Sequence, residues 1–245
     1  MTSRYLGAVR GILEHLEHTQ LPAIEQAADL IVEALTHDGA VFCAEIGHSN
    51  QHDFLNRAGG LAAVHGFSFS CAVNDEVADS QLNRTRPEPV NAELDRIRCA
   101  VRTSNLRAGD VMLIGSVSGK STYPVELAMA CREMGVKVIG LTSREYTAQI
   151  ESLHPSGKKL IDVSDVVIDN GAPFGDAAVD LPGYDFKLLP VSGASSIVIG
   201  WMIWERVIEK MVEADTPPSV FMSLNRPGGK EFYDESKATY NRRGY

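Results

Sequence analysis

Gly109-Asp110-Val111-Met112-Leu113-Ile114-Gly115-Ser116-Val117-Ser118-Gly119-Lys120-Ser121-Thr122-Tyr123-Pro124 reads as a turn, a buried strand, a hydroxyl-rich loop and a helix start. Val111 to Ile114 is an uninterrupted apolar run, the pattern of a parallel strand covered on both faces. Gly115 to Ser121 follows with small and hydroxyl-bearing residues, Val117 being its bulky apolar side chain. Thr122 is expected to cap the next helix, with Pro124 in the first turn. Such a loop aims backbone N–H groups, Ser hydroxyls and the positive end of a helix at one point. That is an anion site, and phosphate is the anion expected. The nucleotide P-loop, Gly-x-x-x-x-Gly-Lys-Ser/Thr, is one residue longer than the span from Gly115 to Ser121, which argues against a nucleoside triphosphatase. The plainer alternative is a Ser-rich turn without a ligand, but the hydroxyls beside Gly119-Lys120 exceed what a turn requires.

Working outward, the helix is expected to run to Met134 and a strand from Val136 to Leu141, completing a βαβ unit. Thr142-Ser143 closes that strand on the ligand edge. Residues 144–160 form a connection carrying Lys158 and Lys159, either phosphate contacts or a solvated pair. Val166 to Asp169 is the last clear core strand and leads into Asn170-Gly171-Ala172-Pro173-Phe174-Gly175-Asp176. Ser192 stands at the start of a long apolar helix through Val212, with Ile197, Trp201, Trp204 and Ile208 as its buried stripe.

On the N-terminal side, residues 3–18 and 23–35 carry helical stripes, separated by Leu21-Pro22. Strand one is expected over residues 40–46, with Gly47-His48-Ser49-Asn50 at its carboxyl end, where ligands bind in parallel sheets. A short helix over residues 52–60 and a second strand over residues 67–73 follow. Residues 74–90 read as a loop or lid that holds Arg84 and Arg86, and Asn91 caps a helix to about Leu106.

The chain of 245 residues is read as one domain, residues 1–245, with N-terminal helices over 3–36 and a C-terminal arm over 217–245. An apolar fraction of 44% supports a packed core, and a net charge of -9 argues against nucleic-acid or anionic-membrane partners. An anionic ligand must be held by local geometry against that field. No apolar stretch is long enough for a membrane span, and no signal peptide is seen. Cys43, Cys71, Cys99 and Cys131 lack metal-ligand spacing, and buried free thiols in a cytoplasmic protein are expected.

Ser116-Val117-Ser118-Gly119-Lys120-Ser121 resembles the phosphosugar loop of the sugar isomerase (SIS) superfamily, Ser-x-Ser-Gly-x-Ser/Thr, at every fixed position. Glu126-Leu127-Ala128 and Gly135 to Ser143 continue the likeness. Gly47-His48-Ser49, Arg57-Ala58-Gly59-Gly60-Leu61, Ser156 to Leu160 and Asp169 to Pro173 resemble a bacterial branch related to phosphoheptose isomerases. The resemblance spans about residues 25 to 225.

It implies a three-layer α/β/α sandwich, doubly wound like flavodoxin, around a mostly parallel five-stranded sheet. It also implies a phosphorylated sugar as partner, a homodimer or higher homo-oligomer, and aldose–ketose isomerisation through an enediolate, without metal or organic cofactor. On that reading Ser116, Val117, Ser118, Gly119, Lys120 and Ser121 hold phosphate, and Gly47, Ser49, Asn50 and Ser192 address the sugar. His48 and Asp53 are the acid–base candidates, with Glu126 next. The family's base on the short helix is an acidic residue, and Asp53 is the acid that stands there, shorter than Glu. The superfamily also holds non-catalytic phosphosugar sensors, lyases and etherases, which stay open as alternatives.

Overall fold

The computed structural model describes residues 3–44, 51–85 and 92–245. Its elements are the helices α1 (Arg4–Thr19) and α2 (Leu21–Thr36), the strands β1 (Val41–Ala44) and β2 (Val64–Phe67), α3 (Ala92–Thr103), β3 (Val111–Gly115), α4 (Thr122–Glu133) and β4 (Lys137–Thr142). Then come α5 (Arg144–Ala148), α6 (Leu160–Val163), β5 (Val166–Asp169), β6 (Ala177–Val179), β7 (Leu188–Pro190), α7 (Ser192–Glu213) and α8 (Gly229–Arg243).

The main sheet is five-stranded, in the order β2-β1-β3-β4-β5. All its pairings are parallel. That is the flavodoxin-like doubly wound order, in which ligands collect beyond the carboxyl ends of the strands where the order reverses, between β1 and β3.

The apolar run on β3 divides between the sheet's two faces. Val111 and Leu113 join one buried cluster with α1, α2 and α7, while Met112 and Ile114 join the other with α3, α4 and α6. Alternation along a strand sends successive side chains to opposite sides, so a wholly apolar β3 requires helices on both. The three-layer expectation stands. Asp110 starts β3 in register: its buried carboxylate accepts from Ala40 N–H at 2.8 Å and Arg107 N–H at 2.7 Å. Gly39 is required beside it, since a Cβ there would lie 2.7 Å from the Gly109 carbonyl oxygen.

Several sequence expectations are corrected. Strand two is Val64–Phe67, not residues 67–73. The alternating Phe67, Phe69, Cys71 and Val73 imitate a strand, but Val73 is 75% exposed and Phe69 instead stacks on Tyr123 at 5.5 Å. Residues 52–60 are not a helix beyond the single 3₁₀ turn Gln51–Asp53. Leu21-Pro22 opens α2 rather than standing outside it, because proline fits the first helical turn. Ser121, not Thr122, is the cap residue of α4, and the Thr122 hydroxyl donates to the Leu153 carbonyl at 3.2 Å. The C-terminal segment contains α8, whose low apolar content hides it, and a small antiparallel β6–β7 sheet precedes α7.

Cys43 and Cys131 are buried, and burial pushes each thiol up to about 12, so neither is a ready nucleophile. Cys71 and Cys99 are exposed, contrary to expectation. No described helix is long and apolar enough to cross a membrane.

Candidate functional site

A cleft of about 410 Å³ opens at the carboxyl end of β3. One side is built by Ser116, Val117, Ser118 and Ser121, the loop singled out in the sequence. The other is built by Gly175, Asp176, Ala177 and Pro190, around the β6–β7 sheet, with Tyr146 of α5 also lining the space.

The loop's carbonyls from Ser116 to Lys120 are all engaged. Ser116 C=O accepts from Gly119 N–H at 3.1 Å, and Val117 C=O accepts from Ser143 N–H at 2.9 Å and from the Thr142 hydroxyl at 3.2 Å. Ser118 C=O accepts from the Thr147 hydroxyl at 2.9 Å. Gly119 C=O accepts from Leu160 N–H at 2.8 Å, and Lys120 C=O from Leu153 N–H at 2.9 Å. Among the described residues, the N–H groups of Val117, Ser118, Lys120 and Ser121 meet no protein acceptor. The loop is therefore a surface of donors, with its negative ends tied into the scaffold behind. Such a concave set of N–H groups at the start of α4 suits an anion.

Gly119 makes this possible. Its φ of +65° lies in the left-handed region, and a Cβ there would sit 2.9 Å from Thr142 Oγ1 and 3.3 Å from Thr147 Oγ1. The two threonine hydroxyls are themselves 3.2 Å apart and fill the space behind the glycine. Thr142 stands on the ligand edge by its place in the sequence, but its hydroxyl braces the loop from behind.

Asp176 holds the far side together. Its Oδ1 accepts from the N–H groups of Ser192 at 2.9 Å and Val191 at 3.2 Å, and its Oδ2 accepts from the Ser192 hydroxyl at 2.6 Å. This fixes the start of α7 to the turn before β6. Ser192, expected to address the sugar, is 1% exposed and spends its hydroxyl on Asp176. Asp176 is the lining carboxylate that sequence reading passed over. The run Asn170 to Asp176, at the carboxyl end of a core strand, was its one available signal.

The remaining candidates lie elsewhere. Gly47, His48, Ser49 and Asn50 fall outside the described residues, as does Arg86. Asp53 is half-buried in the 3₁₀ turn beyond β1 and is not among the residues that line this cleft. Phe54, next to it, is anchored edge-on against Trp201 and Trp204 of α7, at 6.0 and 5.9 Å between ring centroids.

Glu126, on α4, is 1% exposed and engaged on both oxygens: Oε1 pairs with the Arg98 guanidinium and Oε2 with His154 Nε2 at 2.7 Å. It ties α3, α4 and the connection after α5 together and does not line the cleft. A buried charge with two fixed partners is expensive to disturb, which suits a structural role. Lys159 donates to the carbonyls of Thr147, at 2.7 Å, and Ile150, at 2.8 Å, rather than to the cleft. Arg84 Nε donates to Gln81 C=O at 3.2 Å. No group of His, Cys, Asp and Glu among the described residues is arranged to hold a metal ion.

The SIS domain family matches residues 4–143. A UPF0309 protein of Listeria innocua is 33% identical over 247 residues, covering 99% of this chain and 97% of that protein. A UPF0309 protein of Caldanaerobacter subterraneus is 35% identical over 237 residues, covering 94% of each. Among solved structures, a phosphoheptose isomerase from Neisseria gonorrhoeae is 19% identical with a TM-score of 0.49, covering 81% of this chain and 92% of that chain. This chain belongs to the SIS domain family and, within it, resembles the UPF0309 proteins along nearly its whole length.

Proposed function

We propose that the cleft binds a sugar monophosphate, with the phosphate seated on Ser116, Val117, Ser118, Gly119, Lys120 and Ser121. The observation that carries this reading is the donor surface of that loop: its carbonyls from Ser116 to Lys120 are tied back, and the N–H groups of Val117, Ser118, Lys120 and Ser121 are left for an anion. The SIS domain match supports it. A sugar supplies the hydroxyls that a cleft with both donor and acceptor sides can address.

The reaction proposed for the bound sugar is aldose–ketose isomerisation through an enediolate. A base removes the proton beside the carbonyl and returns it to the neighbouring carbon. His48 and Asp53, which follow β1 in the sequence, are the groups assigned to that transfer. The test is solvent exchange. Incubated with a panel of sugar phosphates in deuterated buffer, the protein should wash deuterium into C1 or C2 of its substrate. His48→Gln or Asp53→Asn should slow that exchange by about 10²–10⁴-fold.

A second reading, a non-catalytic phosphosugar sensor, is favoured by the arrangement of the described acids: Glu126 is locked between Arg98 and His154, and Asp53 does not line the cleft. Tight binding of a sugar phosphate by a wild type that exchanges no proton replaces the isomerase reading with this one.

We further propose a homodimer. The α1 stripe buries Ile12 and Leu16 but leaves Leu6 52% and Leu13 39% exposed. Light scattering at micromolar concentration should give the mass of a dimer, and a monomer there rejects this assembly.

A further inference from the structure

Of the described residues lining the cleft, Asp176 alone carries a charge. None of the described lining residues is a Lys or Arg that could neutralise a ligand, and the chain as a whole carries a net charge of -9. Anion binding at the loop therefore rests on N–H dipoles and hydroxyls, which act over a short range and at one point. Away from that point, the charge that the described lining residues supply is a carboxylate.

That carboxylate is fixed. Asp176 has a φ of +62°, in the left-handed region, next to Gly175 at +81°. Its N–H donates to Pro173 C=O at 2.8 Å, and the start of α7 grips its side chain through Val191 and Ser192. An ionised carboxylate offers about four acceptor positions. The protein fills two on Oδ1 and one on Oδ2, which leaves a position on Oδ2 for a donor from a ligand. A side chain so held cannot swing away from a ligand that repels it.

Resting on the phosphosugar reading, we propose that Asp176 sets the substrate class: a monophosphate whose far end is neutral or cationic and donates a hydrogen bond. A hydroxyl or ammonium at that end meets the open Oδ2 position. A carboxylate or second phosphate there meets a like charge that no cationic side chain among the described lining residues offsets, and like-charge juxtaposition across an interface is strongly disfavoured. Aldonic acid phosphates and bisphosphates are thereby excluded, while aldose, ketose and amino-sugar monophosphates are admitted.

The test is calorimetry on matched pairs: glucose 6-phosphate against 6-phosphogluconate, fructose 6-phosphate against fructose 1,6-bisphosphate, and glucosamine 6-phosphate as the cationic member. Wild type should prefer the singly phosphorylated neutral partner by at least about tenfold in each pair, an effect that shrinks as salt is raised. Asp176→Asn keeps an Oδ1 acceptor for the start of α7. It should bring each pair to within about threefold and should weaken glucosamine 6-phosphate binding relative to glucose 6-phosphate. Circular dichroism checks that the variant is folded.

Equal affinity within the pairs for wild type overturns the proposal without recourse to any variant. So does a folded Asp176→Asn that discriminates as wild type does. If wild type binds neither inorganic phosphate nor any monophosphate of the set, the phosphate-loop reading fails and this inference falls with it. If monophosphates bind but charge at the far end makes no difference, the phosphate-loop reading stands and this inference alone is lost.

Discussion

On one side of the cleft, the segment Ser116 to Ser121 has each carbonyl through Lys120 tied back by backbone N–H groups and by the hydroxyls of Thr142 and Thr147. On the other, one carboxylate, Asp176, gathers two N–H groups and a hydroxyl from the start of α7. The first side spends acceptors to expose donors; the second spends donors to hold an acceptor in place. The two also differ in reach. The loop's braces come from β4, α5 and the segment that leads into α6, all close in the sheet order. Asp176 joins the turn before β6 to α7 across the whole of the β6–β7 sheet. A ligand between them would meet a donor surface at one end and an acceptor at the other, which is a means of fixing its direction as well as its position.

The sharpest way to break this contrast is to disturb the donor side alone. Gly119→Ala places a methyl group in left-handed backbone, at a cost of about 1–2 kcal/mol. It also places that methyl against the hydroxyls of Thr142 and Thr147, at 2.9 and 3.3 Å. The loop must shift and several donors lose their common aim. Bonds to a charged acceptor are worth about 1.5–3 kcal/mol each, so loss of more than one should weaken sugar phosphate binding by over about a hundredfold. Chemical denaturation should show a fold that persists with lower stability. Calorimetry that finds wild-type affinity in a folded Gly119→Ala would refute the role given to the loop.

A smaller loss is expected when single donors are removed from the lining. Ser118→Ala and Ser121→Ala each delete one hydroxyl, with an expected drop of about ten- to a hundredfold in affinity. Neither touches Asp176, so the preference between glucose 6-phosphate and 6-phosphogluconate should survive in both. A change in that preference would mean that the two sides of the cleft are not independent. Unchanged affinity in both variants would remove the phosphate from this loop.

How much of this the sequence reveals follows the same division. The donor side is local in the chain: an apolar strand, small residues and a helix start stand within Gly109 to Pro124, and β3 and α4 form where that pattern puts them. β5 likewise has the bounds its apolar run and flanking polar residues suggest. The acceptor side is not local. β6 and β7 are three residues each, with Leu189 at a φ of +67°, too short and irregular to leave an alternating pattern. Asp176 gains its role from Val191 and Ser192, a partnership that no spacing announces.

The braces behind the loop were hidden for a related reason. Thr142 looks like an edge hydroxyl until the close approach of Gly119 is seen, and nothing in the sequence singles out Thr147. Strand two was misplaced because Phe69 satisfies its apolar ring on Tyr123 rather than in a sheet. Glu126, a plausible base by its position after the loop, is withdrawn from the cleft by Arg98 and His154, which come from other parts of the chain.

The smallest expected effect tests the braces themselves. Thr147 does not line the cleft, yet its hydroxyl donates to Ser118 C=O at 2.9 Å and keeps that oxygen turned from the ligand. Thr147→Val preserves the side chain's shape and removes the donor. The freed carbonyl can then rotate toward the bound phosphate, where it repels, or stay buried without a partner. Neutral hydrogen bonds contribute about 0.5–1.5 kcal/mol, so affinity for a sugar phosphate should fall by about two- to tenfold. Thr147→Ser restores a hydroxyl and should recover most of the loss, a rescue that simple loosening of α5 would not give. The choice between neutral and anionic far ends should not move in either variant, because that choice belongs to the acceptor side. Should Thr147→Val bind as wild type does while remaining folded, the loop holds its donors inward by backbone geometry alone and the threonine braces are not needed.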